Sequence, residues 1–142
     1  MANYYATIRT NYFSVKDEAA FRELIQSVIA EDEVYIFEEP QSDGSKKFGF
    51  GCYGTISGIY VDSDDDRFEP DIDDFWNALQ KLVCEDDAII ITELGSEKLR
   101  YLVGGSTVIT SESIQFVDVW KESLEIARQL LNNPNYQTDF DY

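Results

Sequence analysis

The order of strand-like and helix-like segments constrains this chain more than any other feature of its sequence. Most segments are short and rich in β-branched and aromatic residues, and only three show the apolar spacing of a helix. The order is β-α-β-β-α-β-β-(β)-α, where the bracketed segment, 113–119, is either a strand or the lead-in to the last helix. Because hairpins predominate, the sequence predicts an α+β fold: a mainly antiparallel sheet of about five or six strands, with helices packed mostly on one face.

Three apolar stripes predict the helices. The first covers residues 21–29 and is capped either by Ser14, at capping-box spacing from Asp17, or by Asp17 itself. The second covers 72–83 and has acids over its first turn, where they favour the positive end of the helix dipole. The third covers 120–131.

Glycines mark the predicted strands. Strands are expected at 4–15 and 33–40, and a longer extended segment at 47–61. Its glycines predict bulges or close backbone approach; they are Gly49, Gly51, Gly54 and Gly58. Further on, Gly104 and Gly105 predict a hairpin between two strands within 98–111.

The chain is predicted to be one domain, 1–133, followed by a loose acidic tail, 134–142. Its 142 residues are 44% hydrophobic, which is too apolar for a disordered acidic segment. We expect neither a secretory signal nor a membrane span, since the start has no basic-then-apolar pattern and a span needs about 20 apolar residues. Cys52 and Cys84 form no motif and are interpreted as buried thiols of a cytoplasmic protein.

The charge balance excludes several classes of function. The net charge is −17, from 28 acids and 11 bases, whereas a small domain needs only about 2–8 charges for solubility. Direct nucleic-acid binding is not expected, because it requires a basic surface; the expected partner is itself basic. The absence of histidine removes the commonest general base. We therefore expect a protein that is not an enzyme and uses neither cofactor nor metal.

The stretch "VDSDDDRFEPDIDDFW", residues 61–76, holds the candidate binding residues. They are Asp62, Asp64, Asp65, Asp66, Glu69, Asp71, Asp73 and Asp74. In an extended chain this run presents one net charge per roughly 6 Å, against one per roughly 1.7 Å of duplex DNA. Imitating DNA would therefore require further acids alongside. The candidates are Glu31, Asp32, Glu33, Glu38, Glu39, Glu85, Asp86 and Asp87.

Other interpretations of the acidic run remain open. Asp62, Asp64 and Asp66 match the opening of a calcium-binding loop, but Arg67 stands where that loop needs glycine. A carboxylate or magnesium site for phosphoryl transfer would need a phosphate cradle, which the chain does not show. The run is also compatible with a solvated loop followed by an acidic first helical turn.

The aromatic residues of the strands also have two interpretations. We expect most of them to be buried or half-buried, without an assignment of which are exposed. They are Tyr4, Tyr5, Tyr12, Phe13, Tyr35, Phe48, Phe50, Tyr53 and Tyr60. Exposed tyrosines among acids would instead suit a protein interface, because they add contact area at little entropic cost.

Two stretches, "NYYATIRTNYFSVKDEAAFRELI" and "ITELGSEKLRYLVGGSTVITS", resemble segments of small acidic accessory proteins of phages and conjugative elements. Anti-CRISPR and antirestriction inhibitors belong to this group, and several imitate nucleic acid. The resemblance implies an inhibitor of a host defence nuclease.

The expected function is therefore a non-enzymatic inhibitor in the cytoplasm of a bacterial host. It would bind a Cas effector or another nuclease through an acidic, nucleic-acid-mimicking surface and block DNA binding. One alternative is an immunity or antitoxin protein that masks a toxic nuclease or another basic enzyme. A third is a carboxylate-based metal-binding protein. The oligomeric state stays open.

Overall fold

A computed structural model describes residues 4–61 and 68–139, which form three helices and eight strands. Their bounds in chain order are β1 Tyr5–Thr10, α1 Glu18–Gln26, β2 Val28–Ala30, β3 Val34–Pro40, β4 Lys46–Tyr53, β5 Ile56–Ile59, α2 Ile72–Leu82, β6 Ile89–Glu97, β7 Tyr101–Ile109, β8 Ile114–Asp118 and α3 Val119–Leu130.

Six strands form one antiparallel sheet in the order β3-β4-β1-β6-β7-β8, and β2 pairs with β5 in a separate two-stranded sheet. Helices lie mostly on one face of the large sheet, which we call the inner face. The predicted α+β fold is confirmed, including its mainly antiparallel sheet. No helix of the described residues has the length and apolarity that crossing a membrane requires.

The core lies between the inner face and helices α1 and α2. Phe13 meets Phe21 of α1 edge-to-face, with ring centroids 5.7 Å apart. Phe50 of β4 packs against Phe13 at 6.3 Å and against Phe75 of α2 at 5.6 Å. All four rings are fully buried. This aromatic chain therefore fixes both helices on the sheet, since each buried aromatic side chain contributes about 1.5–3 kcal/mol from removal of apolar surface from water.

The predicted hairpin at Gly104 and Gly105 is wrong, because β7 runs straight through both residues. The turn lies earlier, around Lys98, whose φ is 50°. The glycines are explained by crowding. A Cβ on Gly105 would lie 2.9 Å from the Phe116 ring, and one on Gly104 would lie 3.2 Å from Val119 Cγ2.

Two other predicted elements are shorter than expected. Helix α1 begins after Asp17, whose side chain accepts a hydrogen bond from the Ala20 amide at 3.1 Å, and ends at Gln26. Val28 and Ile29, the last apolar residues of the predicted stripe, belong to β2, Val28–Ala30. The first strand ends at Thr10 rather than at residue 15.

The extended segment 47–61 is divided at Gly54, whose φ is 110°. Close backbone approach is confirmed at Gly58, where a Cβ would lie 2.7 Å from the Asp71 carbonyl oxygen. The segment 113–119, predicted to be either a strand or the lead-in to the last helix, contains the strand β8.

The thiols and the tail complete the fold. Cys52 is buried and Cys84 is half-buried, and both are free thiols. Burial raises the pKa of Cys52.

In the predicted tail, the carbonyl of Tyr136 accepts a hydrogen bond of 2.9 Å from Arg128 Nε of α3.

Candidate binding surface

Carboxylates and tyrosines meet at the end of the sheet where β1 and β3 begin. Thr7 pairs with Tyr53 and Tyr5 pairs with Ser96, so the loop after β2, the end of β4 and the end of β6 all reach this place. We call it the acidic end. Its members are Tyr4, Tyr5, Glu31, Asp32, Glu33, Tyr53 and Glu93.

A cleft of about 370 Å³ opens between the tyrosines and the acids of this end. Tyr5 and Tyr53 stand at its sides with 72% and 67% of their surfaces exposed. Glu31 and Asp32 line the cleft opposite them. Two carboxylates beside two exposed aromatic rings suit a cationic side chain, because the carboxylates attract its charge and the rings cover its apolar stem.

Tyr4 connects the acids of this end to the sheet. Its hydroxyl donates a hydrogen bond of 2.9 Å to Glu93 Oε2. Burial, this hydrogen bond and the negative charges of Glu93 and Glu31 raise the pKa of Tyr4. The ring lies over Gly95, where a Cβ would come within 2.3 Å of the tyrosine oxygen. The phenol is thus held protonated between carboxylates from β6 and from the loop after β2.

The three acids of the loop after β2 lie at the surface away from the described bases. Glu31, Asp32 and Glu33 are exposed, and none of them forms an ion pair with a base within 4–61 or 68–139. The Glu31 carboxylate accepts a hydrogen bond from the Thr55 hydroxyl. Asp32 Oδ1 accepts one of 2.7 Å from the Glu33 amide. Local hydrogen bonds therefore fix the loop without neutralising it.

The acids at the start of α2 lie close to this loop. Asp71 caps the helix by accepting a hydrogen bond of 2.9 Å from the Asp73 amide, and its backbone packs against Gly58 of β5. Glu31 contacts Thr55 at the other end of the same strand, about 10 Å away at 3.3 Å per residue. Residues 31–33 and 71–74 therefore flank one short strand. The exposed acids at the start of α2 are Glu69, Asp71, Asp73 and Asp74.

The remaining members of the predicted run lie outside the described residues. They are Asp62, Asp64, Asp65 and Asp66.

Glu38 and Glu39 do not join the acidic end. They lie five or six positions along β3 from Glu33, which corresponds to at least about 16 Å. Glu38 is bonded to Arg22, and its carboxylate lies 3.6 Å from Lys46. The hydrogen bond from Arg22 lowers the pKa of Glu38. Its charge is therefore largely balanced by neighbouring bases.

Glu85, Asp86 and Asp87 also lie at this opposite end. Asp87 pairs with Lys47 at 3.8 Å and accepts a hydrogen bond of 2.8 Å from the Ser14 amide. Lys47 is the register partner of Glu39, which places the segment beside the far end of β3. The predicted acids are thus divided between two ends of the sheet.

Sequence reasoning assigned no role to Glu93 and expected its tyrosine neighbours to be buried or half-buried. One signal for Glu93 was present: it follows Ile89 and Ile91 in the inward alternation of β6, where a charged residue needs a partner. The exposure of Tyr5 and Tyr53 depends on which strand face the helices cover, and no local pattern encodes that.

The described side chains do not form a metal site. Within 4–61 and 68–139, no group of three or more cysteine or carboxylate side chains is placed to hold a metal ion. The calcium-loop residues Asp62, Asp64 and Asp66 lie outside these ranges, so that alternative stays a prediction.

Comparisons of this chain with protein-family models, with curated proteins and with solved structures found no match.

Proposed function

We propose that this protein is a non-enzymatic inhibitor that binds a basic, nucleic-acid-binding protein of its bacterial host and blocks DNA binding. The proposal places it in the host cytoplasm and gives it a phage or mobile-element origin, with a Cas effector or another defence nuclease as its target. The observation that carries it is the acidic end. Three exposed carboxylates that form no ion pair with a base of residues 4–61 or 68–139, those of Glu31, Asp32 and Glu33, lie beside the exposed rings of Tyr5 and Tyr53.

Charge and contact area have separate roles in this mechanism. The unneutralised acids of residues 31–33 and 69–74 attract a lysine- and arginine-lined channel over a distance of about 8–10 Å, the screening length near physiological salt. They speed association and lose effect as salt rises. Tyr5 and Tyr53 then lose water against the partner and slow dissociation, as aromatic anchors do. Occupation of the channel by this surface excludes DNA.

The test compares two variants with the same change in charge. The acidic-end variant carries Glu31→Gln, Asp32→Asn and Glu33→Gln. The matched control carries Glu39→Gln, Glu85→Gln and Asp86→Asn, three exposed acids at the opposite end of the sheet. Each variant removes three negative charges, so a difference between them reports position rather than net charge.

Immobilised wild-type protein and both variants are used to capture partners from a bacterial lysate at low and moderate salt. We expect wild type and control to capture a nucleic-acid-binding protein that duplex DNA releases, and the acidic-end variant to lose it. In a strain with an active defence system, wild type should raise phage plating and the acidic-end variant should not. Equal capture by all three proteins, or a partner that DNA does not displace, would contradict the proposal. A toxin encoded beside this chain would instead assign it to the immunity proteins.

A further inference from the structure

Exposed apolar side chains concentrate on the last third of the sheet, on both of its faces, and on α3. Thirteen of the nineteen exposed large apolar side chains of the described residues lie between 90 and 131. Leu94 of β6 and Leu102 of β7 lie on the face opposite α1 and α2, Phe116 of β8 lies on the inner face, and Leu130 lies on α3. Helix α3 buries none of its residues. This concentration exceeds the scattered apolar exposure that ordinary surfaces show.

Charge is distributed in the opposite way. Residues 89–131 contain six acids and four bases, which is a net charge of −2. Residues 1–88 contain 20 acids and seven bases, which is a net charge of −13. The last third of the sheet and α3 therefore carry little of the net negative charge, although Glu93 lines the same cavity as Phe116. They are also the part of the molecule where a second copy of this acidic chain meets the least repulsion.

The outer edge of β8 has backbone groups that are available for pairing with another strand. In the β7–β8 hairpin, Thr110 N bonds Ser113 O at 2.8 Å. Bonded pairs alternate along an antiparallel ladder, so Gln115 and Val117 direct their backbone groups toward β7, and Phe116 directs its own outward. No hydrogen bond joins the outer edge of β8 to another described residue. An unpaired edge of this kind is a template for another strand.

The other edge of the sheet is protected against such pairing. Strand β3 carries Glu38 and Glu39 and ends at Pro40, and acids and proline are the usual means of blocking edge pairing. Strand β8, "IQFVD", has no proline or lysine, and its one charge is at its end. Among the strands that the structure describes, β8 is therefore the edge of this sheet that is left open to extension.

We propose that two copies of this chain form a symmetric dimer through antiparallel pairing of their β8 strands, centred on Phe116. The pairing makes one continuous twelve-stranded sheet from two sheets of six. It sets the two Phe116 rings opposite each other on the inner face, where aromatic cross-strand pairs are favourable. A two-fold axis closes the assembly, because it uses the open β8 edge of each copy. The two-fold axis reverses the direction of the strands, so the acidic ends of the two copies point toward opposite ends of the twelve-stranded sheet.

The test uses Phe116→Lys with Tyr53→Lys as its matched control. The two aromatic side chains are 66% and 67% exposed, and both changes add one positive charge. Sedimentation velocity over about 1–200 µM measures the mass, because mass action links dimer fraction to concentration. We expect wild type and Tyr53→Lys to reach twice the 16.3 kDa of one chain. Phe116→Lys should weaken the dimer by about tenfold or more, since lysine on an edge opposes pairing.

Two further measurements keep the result independent of the folding of one variant. Exchange of the Phe116 amide hydrogen in the wild type should slow as protein concentration rises. Added salt should strengthen the dimer, because it screens repulsion between two acidic chains; binding to a basic partner should weaken under the same change. A wild-type chain that stays monomeric, a dimer that Phe116→Lys leaves intact, or one that Tyr53→Lys disrupts equally would overturn the proposal.

Discussion

Tyr4 and Glu93 lie 89 positions apart in the chain and are joined by a hydrogen bond of 2.9 Å between phenol and carboxylate. The bond ties the start of β1 to the inner face of β6, and the ring of Tyr4 fills the space above Gly95. The acidic end is thus anchored to the most central pair of strands in the sheet.

Removal of that hydrogen bond should destabilise the protein. In Tyr4→Phe, the partly buried Glu93 loses its donor, and we expect the free energy of unfolding to fall by about 1–3 kcal/mol. Tyr5→Phe is the control, because Tyr5 is 72% exposed and its hydroxyl makes no hydrogen bond to a described side chain. Urea unfolding of both variants measures the difference. Equal effects would show that the Tyr4 hydroxyl contributes nothing.

Stability should also fall steeply above pH 10. The pKa of Tyr4 is raised in the folded state by burial and by Glu93, so above the ordinary tyrosine value of about 10 the unfolded chain releases this proton first. The contribution is complete below pH 10 and is lost as the pH rises toward the raised value. Denaturation at several alkaline pH values should show a weaker pH dependence for Tyr4→Phe than for Tyr5→Phe. The same slope in both would mean that Tyr4 titrates normally.

Gly58→Ala should lower the free energy of unfolding more than Gly44→Ala, because Gly58 has both a positive φ and a close backbone contact whereas Gly44 has only the positive φ. At Gly58 the φ is 155° and a Cβ would lie 2.7 Å from the Asp71 carbonyl, so alanine must push the start of α2 away from β5. We expect a loss of about 2–4 kcal/mol. Gly44 has a φ of 89° with nothing within 4 Å of its Cβ position, so Gly44→Ala should cost only about 1 kcal/mol. Thermal unfolding compares the two, and a larger loss at Gly44 would contradict the contact.

The acidic-end variant should be as stable as the wild type or more stable. Its three acids make no ion pair with a described base, and their removal relieves repulsion. In contrast, Glu38→Gln loses the charge that Arg22 and Lys46 share and should lower the melting temperature. Melting temperatures at low salt measure both effects. A strongly destabilised acidic-end variant would show that residues 31–33 are structural.

The fold could be predicted where a local pattern had only one interpretation. Helix α2 has an apolar stripe, an Asp71 cap and a clear end, and it forms as expected. Val28 and Ile29 continue the apolar spacing of α1 in the sequence, but in the structure they form strand β2 and pair with β5. Pairing with β5 therefore prevails over the helical pattern at the end of α1. The pair Gly104 and Gly105 predicts a turn, but these residues lie within a strand. They lack side chains because Phe116 and Val119 occupy the space beside them, and only the folded sheet brings those side chains there.

The candidate site was harder to predict because charge balance is a property of the tertiary structure. Glu38 and Glu33 look alike in the sequence, yet only Glu38 meets Arg22, 16 positions away, and Lys46 across the hairpin. The folded sheet brings no base of the described residues to residues 31–33. A count of acids could therefore suggest a basic partner but could not show which acids remain available.

The position of β1 between β4 and β6 has a consequence for synthesis of the chain. The first strand finds one partner within the first 53 residues, but Tyr5 waits for Ser96 before its other side is covered. A nascent chain on the ribosome therefore holds an incomplete sheet while residues 54–96 are translated. Such long-range closure slows folding, and until it happens the apolar side chains of Ala6 and Ile8 lack the cover of β6 and are open to aggregation.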